Sequence, residues 1–270
     1  MEPILSICYA AFGARDFLFA DNVLELTRIP GVEVLIVWQR PETESWKRLE
    51  SGGAKVILSQ KIGTSNSRNL AIESAAGTYL WSLDDDTRVP LDAVQRLIGI
   101  LEKKPAAEAF TIRIGCLEDE SRLYKDYDRW IPNQRLGTLR SSMIEMLMNR
   151  AFIIEHAVRL PLDMGLGTDQ PCGDESMFLM QILDAGGRLQ HLPYVSVYHT
   201  CLPDGRLGIT IGNFIARGRV LKVLGGPWAA LAGLFWTMRA APGIPRLDII
   251  RAMWRGWKQE GENIRAAKGA

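Results

Sequence analysis

The chain has 270 residues, 47% hydrophobic and 23% charged, with a formal net charge of +1. That is enough apolar chain for a sizeable core in one large domain with a tail, and the charge balance excludes the basic face by which nucleic acid is held. Cys8, Cys116, Cys172 and Cys201 are widely spaced without a C-x-x-C pair, which argues against a zinc ribbon or a disulfide framework and reads as reduced thiols in a cytosolic protein.

In chain order, short β-branched runs alternate with helix-like segments, the pattern of strand–helix–strand units around a mainly parallel sheet. The opening "MEPILSICYAAFGARDFLF" has an acid at position 2, no basic leader region, and Arg15 and Asp16 soon after; it is expected to be the first strand and not a signal peptide. "ILSICYA" (4–10), "VEVLIVW" (32–38), "AKVIL" (54–58) and "TYLWSL" (78–83) are the predicted strands of the first half. Residues 66–76 are predicted helical, with Thr64 or Ser65 as N-cap and Gly77 just past the end. Pro90 suits a first helical position, and Leu91, Val94, Leu97, Ile98 and Leu101 recur at helical spacing. "EAFTIRIGC" (108–116) is a further strand, and residues 117–140, polar and without period, form a long loop of the kind that often carries function. Residues 142–148 return to the sheet, before a short helix through Ile153 and Val158. Gly165, Gly167, Pro171 and Gly173 then make a loop, and Phe178, Leu179, Ile182 and Leu183 give a buried helix face ended by Gly186 and Gly187. A strand through 195–198 delivers His199 to its end.

The strand at 78–83 stops on Asp84, Asp85 and Asp86. Adjacent carboxylates repel one another and gain nothing from a core, so a cation is expected beside them. Residues two apart on an extended strand end share a side, which lets Asp84 and Asp86 face one ion while Asp85 faces away. Such oxygens suit Mg²⁺ or Mn²⁺ held jointly with phosphates; the alternative is that Asp86 or Thr87 caps the next helix and the other acids are solvated. A dehalogenase-type phosphatase would want Thr or Val where Arg88 stands, and a calcium loop would need a third acid and a glycine that are absent. Arg68, placed in a first helical turn, either favours an anion there or makes a surface ion pair. Asp174 and Glu175 open a helix after the glycine-rich loop: either they only cap it, Asp174 being the better cap, or Glu175 is left free as a general base. His199 either completes a metal shell or is a capping or buried histidine. After the second strand, Trp38 could stack on a nucleobase and Gln39 hydrogen-bond its edge.

Taken jointly, Ser67, Arg68, Asn69, Ala71, Ala75, Gly77, Tyr79, Asp84 and Asp86, then Gly173-Asp174-Glu175, then Pro193, Val197 and His199 resemble the motifs of the family 2 glycosyltransferases. The resemblance covers residues 4–200. It implies the inverting GT-A fold: α/β, Rossmann-like, with a mainly parallel central sheet flanked by helices. It also implies a divalent metal, Mn²⁺ or Mg²⁺, held by Asp84 and Asp86 with His199, and a donor site drawn from Arg68, Asn69, Asp84 and Asp85, to which Gln39 and Trp38 add the base-side candidates. Glu175, with Asp174 as alternative, corresponds to the family's catalytic acid pair, although the order of the two acids is exchanged here. The usual aspartate-rich segment after the second strand is replaced by "VWQRPETE" (37–44), which leaves the nucleobase open.

The resulting expectation is a metal-dependent inverting transferase that moves a sugar from a nucleotide-diphosphate donor to a glycan or lipid-linked acceptor in surface polysaccharide or glycoconjugate synthesis. Its rivals are a nucleotidyltransferase on a similar scaffold and a non-catalytic sugar-nucleotide or glycan-binding module. Residues 1–205 are expected to form the catalytic domain, 1–116 on the nucleotide-sugar side and 117–205 on the acceptor side, followed by a helical extension at 206–270. In that tail the apolar stretch 220–238, with arginines at 217, 219, 239, 246, 251 and 255 and tryptophans at 228, 236, 254 and 257, reads either as an interfacial anchor at the inner face of the cell membrane or as a helical pair packed on the domain.

Overall fold

The computed structural model describes residues 2–14, 16–103, 105–127, 135–201, 209–238 and 243–259. Residues 128–134 of the long loop, Arg239, and the tail segments 202–208 and 260–270 lie outside the described residues. Seven strands, β1 (Leu5–Phe12), β2 (Val32–Gln39), β3 (Lys55–Ser59), β4 (Tyr79–Asp84), β5 (Ala109–Cys116), β6 (Met146–Asn149) and β7 (Leu189–His199), form one sheet in the order β3-β2-β1-β4-β6-β5-β7. Only β6 runs antiparallel to its neighbours. Along the central strands alternate residues feed two cores: Val34, Ile36 and Trp38 of β2 pack on one face, Leu35 and Val37 on the other. Burial on both faces is why these strands read as continuous apolar runs.

The first six helices are α1 (Ala20–Leu26), α2 (Trp46–Ser51), α3 (Thr64–Ser74), α4 (Leu91–Leu101), α5 (Arg150–Glu155) and α6 (Asp174–Asp184). Several boundaries differ from the sequence reading, the last strand among them: it runs Leu189–His199 where the sequence reading has 195–198. α3 begins at Thr64 with Gly63 as its N-cap and no capping side chain, because the Ser65 hydroxyl donates instead to the Met164 carbonyl at 2.8 Å. Pro90 is the extended N-cap of α4, one residue before its first helical position. The predicted strand at 142–148 also starts late: Ser142 and Glu145 form a capping box around a 3₁₀ turn, Met143–Glu145, before β6 begins.

Three further helices, α7 (Ile211–Leu224), α8 (Gly226–Met238) and α9 (Arg246–Lys258), close the chain. Phe214, Val220, Leu221 and Leu224 of α7 share a core with Met164, Met177 and Met180 of the glycine-rich loop and α6. α7 and α9 cross at backbone contact: a Cβ at Gly218 would stand 2.0 Å from the Met253 carbonyl oxygen.

The reading of four reduced thiols is overturned in part. Cys116 and Cys201 form a disulfide, while Cys8 and Cys172 are free. The parallel register of β5 and β7 sets Cys116 opposite His199, so Cys201 comes within a Cα–Cα distance of 5.3 Å despite a sequence separation of 85. Disulfides persist mainly in oxidising surroundings, and the cytosolic assignment loses the support of its cysteines.

Candidate active site

The acids gather at the carboxyl end of the sheet, where loops of an open α/β fold diverge. Asp84 ends β4, and the Thr87 hydroxyl and amide both bond back to the Asp84 carbonyl, which turns the chain sharply after the strand. Two residues past Asp86, Arg88 exchanges backbone hydrogen bonds with Tyr198 at 3.0 and 2.8 Å. That short bridge is what brings His199 to the aspartates, since Tyr198 immediately precedes it.

His199 Nε2 stands 3.3 Å from Asp86 Oδ1, and its Nδ1 lies 2.9 Å from the Thr200 carbonyl oxygen. A proton on Nδ1 donated to that carbonyl leaves Nε2 as the free ligand atom. Burial pulls the imidazole pKa down, but the hydrogen bond and charge of Asp86 outweigh it and leave it raised. Ligand atoms of Asp84, Asp86 and His199 lie within 4.8 Å of one another. Two carboxylates and an imidazole at that separation fit a single divalent cation, and among the described residues no other such group of metal-ligand side chains occurs. Asp85 between them is buried and offers a donor little surface.

The second acidic motif meets the first across Arg68. The glycine-rich loop wraps the start of α3: Thr64 N–H donates to the Leu166 carbonyl at 3.0 Å, and a Cβ at Gly165, whose φ is +95°, would stand 2.8 Å from Thr64 Oγ1 and 2.9 Å from Asp174 Oδ2. This close approach brings the Arg68 guanidinium to Asp84 Oδ1 at 3.3 Å, Asp174 Oδ2 at 3.2 Å and Glu175 Oε1 at 3.9 Å. Because α3 starts early, Arg68 sits in its second turn, buried, and its charge is spent on three carboxylates; it is neither the surface ion pair nor the first-turn anion site that the sequence suggested. Burial would lower its pKa, and Asp84, Asp174 and Glu175 together raise it.

Asp174 is not the N-cap of α6. Gly173 holds that position with φ +86°, and Asp174 is the first helical residue, 2% exposed and paired with Arg68. Glu175 keeps a quarter of its side chain, 25%, open to solvent. Burial, followed by the neighbouring Asp174 charge, pushes its pKa up to about 8 against the pull of Arg68.

Three donor-side candidates are engaged elsewhere. Trp38 has no exposed surface, lies 5.7 Å from Phe17 in the core and donates its indole N–H to the Gly13 carbonyl, so it presents no ring face for a base to stack on. Gln39 is buried and donates to the Gly63 carbonyl at 2.7 Å, tying β2 to α3. Asn69 makes a two-point bond with the backbone of Leu160, at 2.8 and 2.9 Å. Conversely, sequence reasoning missed Glu145, fully buried beside β6, which accepts from Lys125 at 2.7 Å and Tyr127 at 3.2 Å. Burial pushes its pKa up and Lys125 pulls it down. A lone acid inside the apolar run "MIEMLM" was the available sign; its work is to pin the loop after β5.

The seven-stranded sheet with acids at its carboxyl edge is the GT-A architecture. Staphylococcus aureus TarS (residues 1–349) superposes with a TM-score of 0.67 at 12% identity over 94% of this chain and 81% of that one. The mannosyltransferase PcManGT of Pyrobaculum calidifontis, solved with GDP-Man and Mn²⁺, gives 0.54 at 14% identity over 93% and 79%. The family model Glycosyl transferase family 2 matches residues 21–153 of this chain. TuaG of Bacillus subtilis (strain 168), named as a teichuronic acid biosynthesis glycosyltransferase, is 25% identical over 118 residues, 41% of this chain and 46% of that protein. The match thus spans about half the length of this curated relative.

Proposed function

We propose that the protein transfers a sugar from a nucleotide-diphosphate donor to a glycan or lipid-linked acceptor, with inversion, in the assembly of a cell-surface polysaccharide. The observation that carries this reading is the meeting of Asp84, Asp174 and Glu175 around one buried guanidinium, with Asp84 also a member of the cluster of Asp84, Asp86 and His199. Support for the donor class comes from the fold relatives: TarS has been solved with UDP and with UDP-GlcNAc, and PcManGT with GDP-Man. The name of TuaG supports the polysaccharide role.

In this reading Asp84, Asp86 and His199 Nε2 hold Mn²⁺ or Mg²⁺, which when bound supplies positive charge to the departing diphosphate. Glu175 accepts the proton of the acceptor hydroxyl. It is the reachable member of its pair, because Asp174 is buried against Arg68, and a carboxylate with a raised pKa is a stronger base near neutral pH. Arg68 serves as a positioning residue: one planar cation fixes the acids of both motifs, so the metal side and the base side share a common anchor. A single displacement needs the base on the face opposite the leaving group, and inversion follows from that arrangement.

Incubation with a panel of nucleotide sugars, with and without Mn²⁺, tests the reading by thermal stabilisation and by donor turnover. The expected outcome is Mn²⁺-dependent stabilisation by one donor class and its loss, with turnover, in Asp86→Ala. Full turnover of Asp86→Ala, or of the wild type in excess chelator, overturns the metal assignment, and a product of retained configuration overturns the single displacement.

A further inference from the structure

The three helices that follow the sheet do two different jobs. α7 belongs to the catalytic body: Arg219, buried, pairs with Asp163 of the glycine-rich loop at 2.7 Å, and Arg217 lies over the rings of Phe214 and Trp236 at 5.2 and 5.3 Å. Neither arginine is free for an outside partner. α8 and α9 behave otherwise. Each buries a narrow stripe, Ala229 and Ala232 on α8 and Ile249, Ala252 and Met253 on α9, and each leaves large apolar side chains in water on the far side.

Those exposed side chains recur at helical spacing. On α8 they are Trp228, Leu231, Leu234, Phe235 and Met238, the last 61% exposed; on α9 they are Leu247, Ile250 and Trp254, the last 58% exposed. α8 carries no charged residue at all, whereas α9 carries Arg246, Arg251, Arg255 and Lys258 against Asp248, a net of +3 from four cations less one acid. Lys258 reaches over the Trp254 ring at 5.1 Å. No helix among the described residues is long and apolar enough to cross a membrane, and 13 residues span only about 20 Å against a hydrocarbon core of about 30 Å.

We infer that the outer face of α8 and α9 is a docking surface for an anionic lipid bilayer, on which the two helices lie flat. Apolar and aromatic side chains enter the headgroup and acyl boundary, while the arginines and the lysine of α9 stay at headgroup level. Charge selects this occupant over a second copy of the chain: a two-fold contact through the same patch would set the cations of one α9 beside those of its mate, whereas anionic headgroups pair with them. The inference deepens the proposed function, since a bilayer at this face would present a lipid-linked acceptor to a body joined to it through α7, but the surface itself is defined without reference to sugar transfer.

Flotation of the full chain with vesicles tests it, using phosphatidylcholine alone and phosphatidylcholine mixed with phosphatidylglycerol, at low and high salt. The chain is expected to float with the anionic vesicles at low salt, with a blue shift of tryptophan emission, and to be released by salt. The double substitution Arg251→Glu with Arg255→Glu should cut anionic partitioning by roughly tenfold or more, and Leu234→Asp with Trp254→Glu should abolish it. An unchanged thermal transition in these variants confirms that they fold. A wild type that stays unbound to anionic vesicles overturns the inference, as does equal, salt-insensitive binding to neutral ones. A dimer in light scattering that Trp254→Glu converts to monomer assigns the face to a second copy instead. A chain that floats yet turns over no nucleotide sugar leaves this inference standing and sinks the transferase reading; the reverse result does the opposite.

Discussion

The crevice around Arg68 and the outer face of α8 and α9 depart from the usual folding preferences in opposite directions. In the crevice, charge is buried: Arg68 and Asp174 are almost wholly enclosed and held by each other, with Asp84 and Glu175 at the rim. On the α8–α9 face, apolar surface is exposed and the cations of α9 accompany it. Neither arrangement is what folding alone would select, because buried ion pairs rarely outperform apolar packing and exposed apolar patches of this extent rarely occur without a partner. The crevice is enclosed and tied by ion pairs, whereas among the described residues the helical face exposes large apolar side chains on one side. The contrast separates where chemistry is organised from where the molecule is held.

The sharpest way to break the crevice half of the comparison is to remove basicity from Glu175 without changing its shape. Glu175→Gln should lower turnover by roughly 10²–10⁴-fold while Mn²⁺-dependent nucleotide binding survives. Asp174→Asn should act differently: it removes the buried partner of a buried cation, so its main effect should be lower thermal stability. If Asp174→Asn folds normally but is dead, and Glu175→Gln turns over at the wild-type rate, the base is Asp174 and the exposed member of the pair has been misassigned. Vesicle flotation should be the same for both variants, which keeps the two regions independent.

A smaller effect is expected at the edge of the crevice, where the disulfide lies two residues beyond His199. Cys201 is held by Cys116, its N–H donates to Glu118 at 2.9 Å, and Thr200 also bonds to Glu118. Cys116→Ser opens a loop of separation 85 and should cost about 2–4 kcal/mol in denaturant titration. It should also weaken Mn²⁺ binding by roughly tenfold, because a ligand loses its support. A melting transition and a Mn²⁺ affinity that ignore reductant in the wild type would show that the hydrogen bonds of Glu118 suffice to hold His199.

Local sequence carried the strands, the aspartate turn and the helix after Gly173, because continuous β-branched apolar runs and glycines act within a few residues. It did not carry what depends on register between distant strands. The pairing of Cys116 with Cys201 follows only from β5 lying beside β7, and the convergence of Arg68 with Asp174 follows only from the glycine-rich loop closing on α3. For the same reason Trp38 and Gln39 looked available: on a sequence they follow an apolar strand, but the chain past Gly13 and the start of α3 cover them. The tail was ambiguous between anchor and packing because its helices divide the roles, and burial of Arg219 beside exposure of Trp254 is invisible in composition.

The smallest expected effect probes how the crevice tolerates its own charge. Glu175 has a folded-state pKa raised from 4.5 to about 8, first by burial and then by Asp174. A group whose folded pKa exceeds its unfolded value binds its proton more tightly in the folded state, so its contribution to stability is fully present below pH 4.5 and is lost as pH rises through about 8. Glu175→Gln is neutral at every pH and removes this term, whereas the raised His199 is common to both proteins and cancels in the difference. The melting temperature of Glu175→Gln relative to the wild type should therefore climb from mildly acidic pH to above pH 8, with a slope of at most about 1.4 kcal/mol per pH unit in stability. The same ionisation makes the base competent, so wild-type turnover should rise over the range in which its stability falls. A stability difference that is flat with pH would place Glu175 in a wetter, better-compensated setting than the ion-pair network with Arg68 describes, and the line between a strained crevice and a relaxed surface would then have to be redrawn.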